Sequence, residues 1–426
     1  MPEIDFLFSI FFCCLLLAVT LTQLWLSQRQ VRHVMLHRAK VPPQFAGTVD
    51  LAAHQKAADY TAAKSQLGLT EVALHTAVVI GWTLMGGLNL LNQWLLLRME
   101  SGLLQQLTLI GCFVLVGAVI DLPLGWYRTF RLEARFGFNR TTLRNWLLDG
   151  LKGGLVGAAL GLPIAALVLS LMASAGNWWW LWAWACFMGF NLLLMVIYPT
   201  LIAPLFNKFE PLADESLKQR VTALMTRCGF KAKGLFVMDG SRRSGHANAY
   251  FTGLGSSKRV VFYDTLLAQL TPEEVDAVLA HELGHFHHKH ITRRMVTMSL
   301  MSLVGFALLG WLSSQVWFYV GLGTQPNLQG PNDALALLLF TLVMPLLTFY
   351  LSPLWAAKSR SDEFEADRFA ASKSDAKALT SALLKLHKDN ATTLTPDPWF
   401  VWFHYSHPPA QARLAALNPG HAHGTP

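Results

Sequence analysis

The chain has 426 residues and a formal net charge of +8; 53% of its residues are hydrophobic and only 14% charged, against about 25% charged in an ordinary globular protein. A mean hydropathy of +0.36 excludes a disordered chain, a coiled coil and most soluble enzymes, and leaves a polytopic membrane protein. The five cysteines form no C-x-x-C pair and fall mostly in apolar runs, so they read as small buried hydrophobes, not as a disulfide framework or a metal cluster.

Apolar stretches of about 20 residues, each long enough to cross roughly 30 Å of hydrocarbon, run from Phe6 to Ser27, Leu69 to Leu91, Leu103 to Tyr127, Gly153 to Ser174, Trp178 to Ile202, Met295 to Tyr319, and Ala334 to Ala356. Met1-Pro2-Glu3-Ile4-Asp5 lacks the basic start of a cleavable signal, so the first stretch is read as a helix that stays. Arg98 is the only basic residue on one side of these seven spans; the other 33 of the 34 Lys and Arg lie on the opposite side. The positive-inside rule then places the N-terminus outside and the C-terminus in the cytoplasm. The basic clusters around Arg29–Lys40 and Arg128–Arg144 read as topology determinants and anionic-lipid contacts, not as a nucleic-acid surface.

Four segments follow: 1–202 with five spans, 203–294 in the cytoplasm, 295–356 with two spans, and 357–426 in the cytoplasm as a direct extension of the last span. In the first cytoplasmic region, residues 211–230 have a helical pattern, and Gly234–Asp239, Asn248–Gly253 and Arg259–Tyr263 are β-like. Thr271-Pro272-Glu273-Glu274 then opens a helix, with Thr271 as cap and Glu274 three residues on. The His-containing tail 421–426 reads as short and disordered.

On that helix lies His281-Glu282-Leu283-Gly284-His285, an H-E-x-x-H motif. Spacing of four puts both imidazoles on one face, within reach of one Zn²⁺. Glu282 is offset and can hold a water at the metal without ligating it. His288 sits about 10.5 Å along the helix from His281, too far to share one ion. A longer metzincin signature fails because Ile291 occupies its last position. His287, His288 and His290 therefore read as helix-end or solvent-facing groups. The third ligand is sought in Asp362-Glu363-Phe364-Glu365-Ala366-Asp367, where Glu363 and Asp367 share a helix face. A carboxylate there completes a His₂Glu site with an open position, and Asp367 can accept the remaining N–H of a ligand histidine. Spacing alone does not choose among Asp362, Glu363, Glu365 and Asp367.

With these motifs the chain resembles the type I CAAX prenyl endopeptidase family of integral-membrane gluzincin metalloproteases, over nearly its whole length. The resemblance is carried by Phe136-Gly137-Phe138-Asn139-Arg140, by 203–209, by 239–251, by His281 to His285, by Glu363-Phe364-Glu365-Ala366-Asp367, and by His404-Tyr405-Ser406-His407-Pro408-Pro409 with Arg413. One departure is Gly245-His246-Ala247-Asn248, where the family pattern has Ser-His-Ser-Asn. The resemblance implies Glu363 as third ligand, and a fold of mostly α class: about seven helices ringing a hollow chamber, with a small α/β zinc domain on the cytoplasmic side. An extended peptide can pair with the edge of the segment beginning at Asn248, whose side chain can bond the peptide backbone. His407, stiffened by Pro408-Pro409, can stabilise an oxyanion, and Arg413 can grip a terminal carboxylate by two prongs; the resemblance places both near the cleft. Asp121 and Asn191 lie in apolar spans, and Glu71 and His75 stand four apart near the start of the second; these are expected to line the chamber.

The expected activity is hydrolysis of peptide bonds by a zinc-activated water, with one Zn²⁺ per chain, Glu282 as base and a monomeric enzyme. The substrate is either a prenylated C-a-a-X protein or a membrane protein or peptide cut in quality control. A bacterial inner membrane is the expected location, or the endoplasmic reticulum membrane in a eukaryote. The rival readings, a transporter or a chaperone-like membrane protein with a structural zinc, do not need the glutamate of H-E-x-x-H, since a structural site is closed by Cys or His.

Overall fold

The computed structural model describes residues 2–230, 234–252 and 259–417; the tail 421–426 lies outside them. Hydrocarbon offers the backbone no hydrogen bonds, so the apolar stretches become helices. These are α1 (Pro2–Leu36), α2 (Leu51–Trp82), α3 (Gly87–Leu96), α4 (Leu103–Tyr127), α5 (Leu143–Ser174) and α6 (Trp179–Ile197). A π-helical turn, Arg128–Glu133, carries α4 on to Phe136. Among the described residues, five uninterrupted helices are long and apolar enough to cross a bilayer, and two bent helix pairs, each taken as one span, raise the number to seven.

The bends were not expected from hydropathy. The stretch Leu69 to Leu91 is broken between α2 and α3, which meet at 47°. Gly86 there takes a left-handed φ of 73°. Gly323, also left-handed, fits so closely against the break that a Cβ on it would lie 2.4 Å from the Thr83 carbonyl oxygen. A run of Leu and Gly stays apolar through such a corner, so composition does not reveal it. Glu71 and His75 lie within α2, well past its start, and reach across to the next span: His75 Nε2 is 3.1 Å from Asp121, and Arg128 donates to Glu71. Asn191 instead donates to the Phe187 carbonyl on its own helix. The cysteines are not buried: Cys13 and Cys14 are exposed on α1 and the other three are half-buried; on α1 this follows because the outer face of a spanning helix is solvated by lipid.

The small domain opens with β1 (Phe209–Pro211), too short for its pattern to show in the sequence, and α7 (Glu215–Arg227). Then come β2 (Gly234–Met238), β3 (Ala249–Thr252), β4 (Arg259–Tyr263) and α8 (Asp264–Gln269). The strands order as β1-β2-β4-β3, with β2 and β4 parallel and the outer pairs antiparallel. β3 is thus an edge of the sheet. Next is α9 (Pro272–His287), whose Thr271 and Glu274 form the expected reciprocal capping box, a cap worth about 1 kcal/mol.

The sixth apolar stretch divides into α10 (His290–Leu312) and α11 (Val316–Val320). The seventh forms α12 (Asp333–Phe349), but the chain then turns by 65° into α13 (Ser352–Lys373). α13 is therefore not the direct extension of the span that the sequence suggested: Pro353 stands in its first turn, where a missing N–H is tolerated, and so suits the start of a new helix. The chain ends in α14 (Ala376–Asp389), α15 (Pro398–His404) and α16 (Ala410–Leu417). One apolar core, including Val260, Phe262, Leu279, Leu283, Phe369 and Leu383, joins the sheet to α9, α13 and α14.

Membrane helices hold this domain by charge. At 35 residues, α1 is about 50 Å long and overshoots the hydrocarbon. Its polar end bonds the C-terminal segment: Arg29 Nη2 lies 2.9 Å from Asp397, and Gln30 accepts from the Asp397 N–H at 2.7 Å. Arg243 reaches Asp149 on α5 at 2.9 Å and Asn207 at 3.0 Å. The Arg140 and Gly245 N–H groups donate to the carbonyls of Arg243 and Phe138 respectively. The motifs around 136–140 and 239–251 are thereby clamped together.

Candidate metal centre

Helix α9 brings His281 and His285 to one face, as four-residue spacing requires. What supplies their partner is the packing of α9 against α13. Gly284 sits directly on that second helix, where a Cβ would fall 2.9 Å from the Ala366 Cα and 3.1 Å from its carbonyl oxygen. Backbones in such contact let short carboxylate side chains span the gap. Glu363 Oε2 lies 3.4 Å from His281 Nε2, and Glu363 Oε1 lies 3.4 Å from His285 Nε2. The two imidazole Nε2 atoms are 3.3 Å apart. These three donors form a compact triangle that could hold one metal ion.

The donor set fits a divalent cation on its own chemistry. Glu363 Oε2 is buried and accepts no hydrogen bond from the described residues, the Arg413 Nη1 beside it being 3.6 Å away; a cation bound in the triangle would satisfy the oxygen. Burial would lower the His281 pKa, but its contacts with Asp367 and Glu363 overcome this and raise it to about 9. Glu282 is not one of the three donors of the triangle, and burial pushes its carboxyl up from the usual range against the opposing pull of His281 and His285. A carboxylate with raised proton affinity suits a general base.

Asp367 Oδ1 is 2.9 Å from His281 Nδ1. This contact fixes Nδ1 as the protonated nitrogen and turns the Nε2 lone pair toward the triangle. Arg413, expected to grip a substrate carboxylate, lies beside the donor triangle. It is 6% exposed, and its two prongs already grip Asp367, Nε to Oδ2 at 2.8 Å and Nη2 to Oδ1 at 2.6 Å. Its Nη1 lies 3.6 Å from Glu363 Oε2 and its Nη2 3.3 Å from His281 Nδ1, so this buried guanidinium buttresses both Asp367 and the donor triangle. His407 stands on the open side, its side chain two-thirds exposed and its Nε2 3.3 Å from Glu363 Oε1. Arg360 places that loop by donating to the carbonyls of Val401 and Tyr405 at 3.0 and 2.8 Å. Asn248 is exposed where the chain enters β3, and its side chain accepts from the Ala249 N–H.

Of the extra histidines, His287 is exposed and stacks on Phe369, and His288 is half-buried. His290 departs from the solvent-facing reading. It is buried, with Nδ1 3.0 Å from His285 Nδ1 and Nε2 2.9 Å from Glu365. Sequence spacing missed it because Lys289, with a φ of 57°, reverses the chain between α9 and α10.

Two family models cover the chain: the CAAX prenyl protease N-terminal domain with five membrane helices, over residues 30–208, and peptidase family M48, over residues 211–419. The chain is 33% identical to CAAX prenyl protease 1 of Saccharomyces cerevisiae, covering 92% of this chain and 91% of that one. It is 31% identical to the Homo sapiens homolog, covering 94% and 93%. The crystal structure of S. mikatae Ste24p superposes with a TM-score of 0.88 at 30% identity, over 96% of this chain and 98% of that one. The H-E-x-x-H helix, its facing carboxylate and these matches lead to one assignment: the chain belongs to the type I CAAX prenyl protease family of M48 peptidases and is an integral-membrane metalloprotease.

Proposed function

We propose that this protease holds one zinc ion with His281, His285 and Glu363 and removes the last three residues from prenylated C-a-a-X proteins. The observation that carries this is the meeting of two ring nitrogens and a buried, unsatisfied carboxylate oxygen beside Glu282. Two imidazoles and one carboxylate are a catalytic zinc set, open at one position. When bound there, zinc acidifies a water and polarises the scissile carbonyl.

The chain's own residues do the rest. Glu282 takes a proton from the attacking water and passes it to the leaving amine. His407, on the open side, donates a hydrogen bond to the developing oxyanion. Asp367 keeps His281 in the ligating tautomer, and Arg413 keeps Asp367 in place. The edge of β3 accepts the substrate as an added strand, with Asn248 bonding its backbone. His75 and Asp121, polar groups on apolar spans, suit the lining of an internal chamber.

Mass spectrometry of products from the purified monomer, offered a farnesylated C-a-a-X peptide and its unprenylated counterpart, tests the substrate. The expected result is loss of a tripeptide from the farnesylated substrate at the higher rate. Equal cleavage of both, at internal bonds, would favour a quality-control protease instead.

Orientation rests on the 33-to-1 division of Lys and Arg, which puts the metal centre, and the C-terminus, in the cytoplasm. Gln325 and Lys377 are both exposed. In an otherwise Cys-free protein, expressed in intact bacterial cells, Gln325→Cys should react with a membrane-impermeant thiol reagent and Lys377→Cys should not. Labelling only at Lys377, or at both, would overturn this topology.

A further inference from the structure

We propose that His290 is a positioning residue for the metal ligand His285, tying it to the carboxylate of Glu365 as Asp367 ties His281; this rests on reading His281, His285 and Glu363 as the ligands. The geometry admits one proton arrangement. To offer Nε2 to a metal, neutral His285 must carry its proton on Nδ1. That N–H points at His290 Nδ1, 3.0 Å away, which must then accept. His290 in turn carries its proton on Nε2 and donates it to Glu365 Oε2 at 2.9 Å. Two successive hydrogen bonds thus fix both the ring orientation and the tautomer of His285. Its partner ligand gets the same constraint in one step from Asp367.

The backbone supports the assignment. His290 is the first residue of α10, and it turns back beneath His285 only because Lys289 occupies the left-handed region. That conformation is disfavoured for a non-glycine residue, because its Cβ crowds the following carbonyl oxygen. His290 itself is 5% exposed. Its second carboxylate neighbour, Asp362, lies 3.6 Å from Nε2 and is paired with Lys358, while Arg293 lies 3.8 Å from Glu365. With cations already beside both carboxylates, the cluster of His290, Asp362 and Glu365 is better suited to orienting His285 than to holding an ion of its own.

The test is zinc affinity of the full-length protein in detergent, measured by competition with a chromogenic chelator. Wild type should bind one zinc, and His285→Ala should lose it; full affinity in His285→Ala would sink the ligand reading itself. His290→Phe keeps a ring of similar volume but neither hydrogen bond, and should weaken zinc binding about 10–100-fold. His290→Gln can still accept from His285 and donate to Glu365, and should recover most of that loss. A purely structural role predicts the reverse, since Phe fills the site better than Gln. Wild-type affinity in His290→Phe, or equal weakness of the two variants, overturns the proposal. Should His290→Phe not fold, Glu365→Gln replaces it: weaker zinc binding is expected, and unchanged affinity overturns the proposal. Two zinc ions in wild type, one of them lost with Glu365→Gln, would make His290 a ligand and overturn it as well.

Discussion

Glu282→Gln should leave about one zinc bound per chain and lower peptide cleavage by at least the 10²–10⁴-fold that a positioned acid–base group supplies. The residue lies between the two proposed histidine ligands in sequence, yet the compact donor triangle is made by His281, His285 and Glu363 without it. An amide keeps the size of the side chain but cannot take a proton. Zinc content by elemental analysis and cleavage by product mass spectrometry, on the same preparation, separate the two roles. Full activity with zinc bound would remove Glu282 from the mechanism. Lost zinc would instead make it a ligand.

The second large effect is expected at Glu363. Glu363→Ala takes away one of the three proposed ligands, so zinc occupancy and cleavage should fall together. Asp367 should behave differently, because it touches His281 on the side away from the triangle. Loss of an outer partner of this kind costs about 10–100-fold in metal affinity. The fold adds a complication that spacing could not show. Asp367→Ala would also strand the Arg413 guanidinium, buried and bonded to Asp367 through both prongs. Breaking a buried pair from one side costs about 3–5 kcal/mol. Asp367→Asn, which can still accept hydrogen bonds, is therefore the cleaner variant, and thermal unfolding should show it to be the more stable of the two. Zinc analysis giving the reverse order, with Asp367→Asn emptied and Glu363→Ala loaded, would exchange the two assignments.

Much of the centre is local, and local order is legible in sequence. Four-residue spacing places His281 and His285 on one face whatever surrounds them. The Thr271–Glu274 cap fixes where that helix begins, and apolar runs of about 20 residues mark helices that span a membrane. The choice of Glu363 was different in kind. Spacing left Asp362, Glu363, Glu365 and Asp367 open, and only resemblance to a family selected one. In the fold the choice follows from Gly284 resting on Ala366, a contact that sets the rotation of α13 and so aims Glu363 and Asp367 at the histidines, and Asp362 and Glu365 at His290. Arg413, His290 and the two bent spans were likewise decided by tertiary structure. A guanidinium carries no mark of which carboxylate will claim it. A histidine just past a helix end faces solvent unless the chain reverses, as it does at Lys289. Hydropathy reports how apolar a segment is, not its direction, so the corners at Gly86 and before Pro353 emerge only once other parts of the chain pack against them.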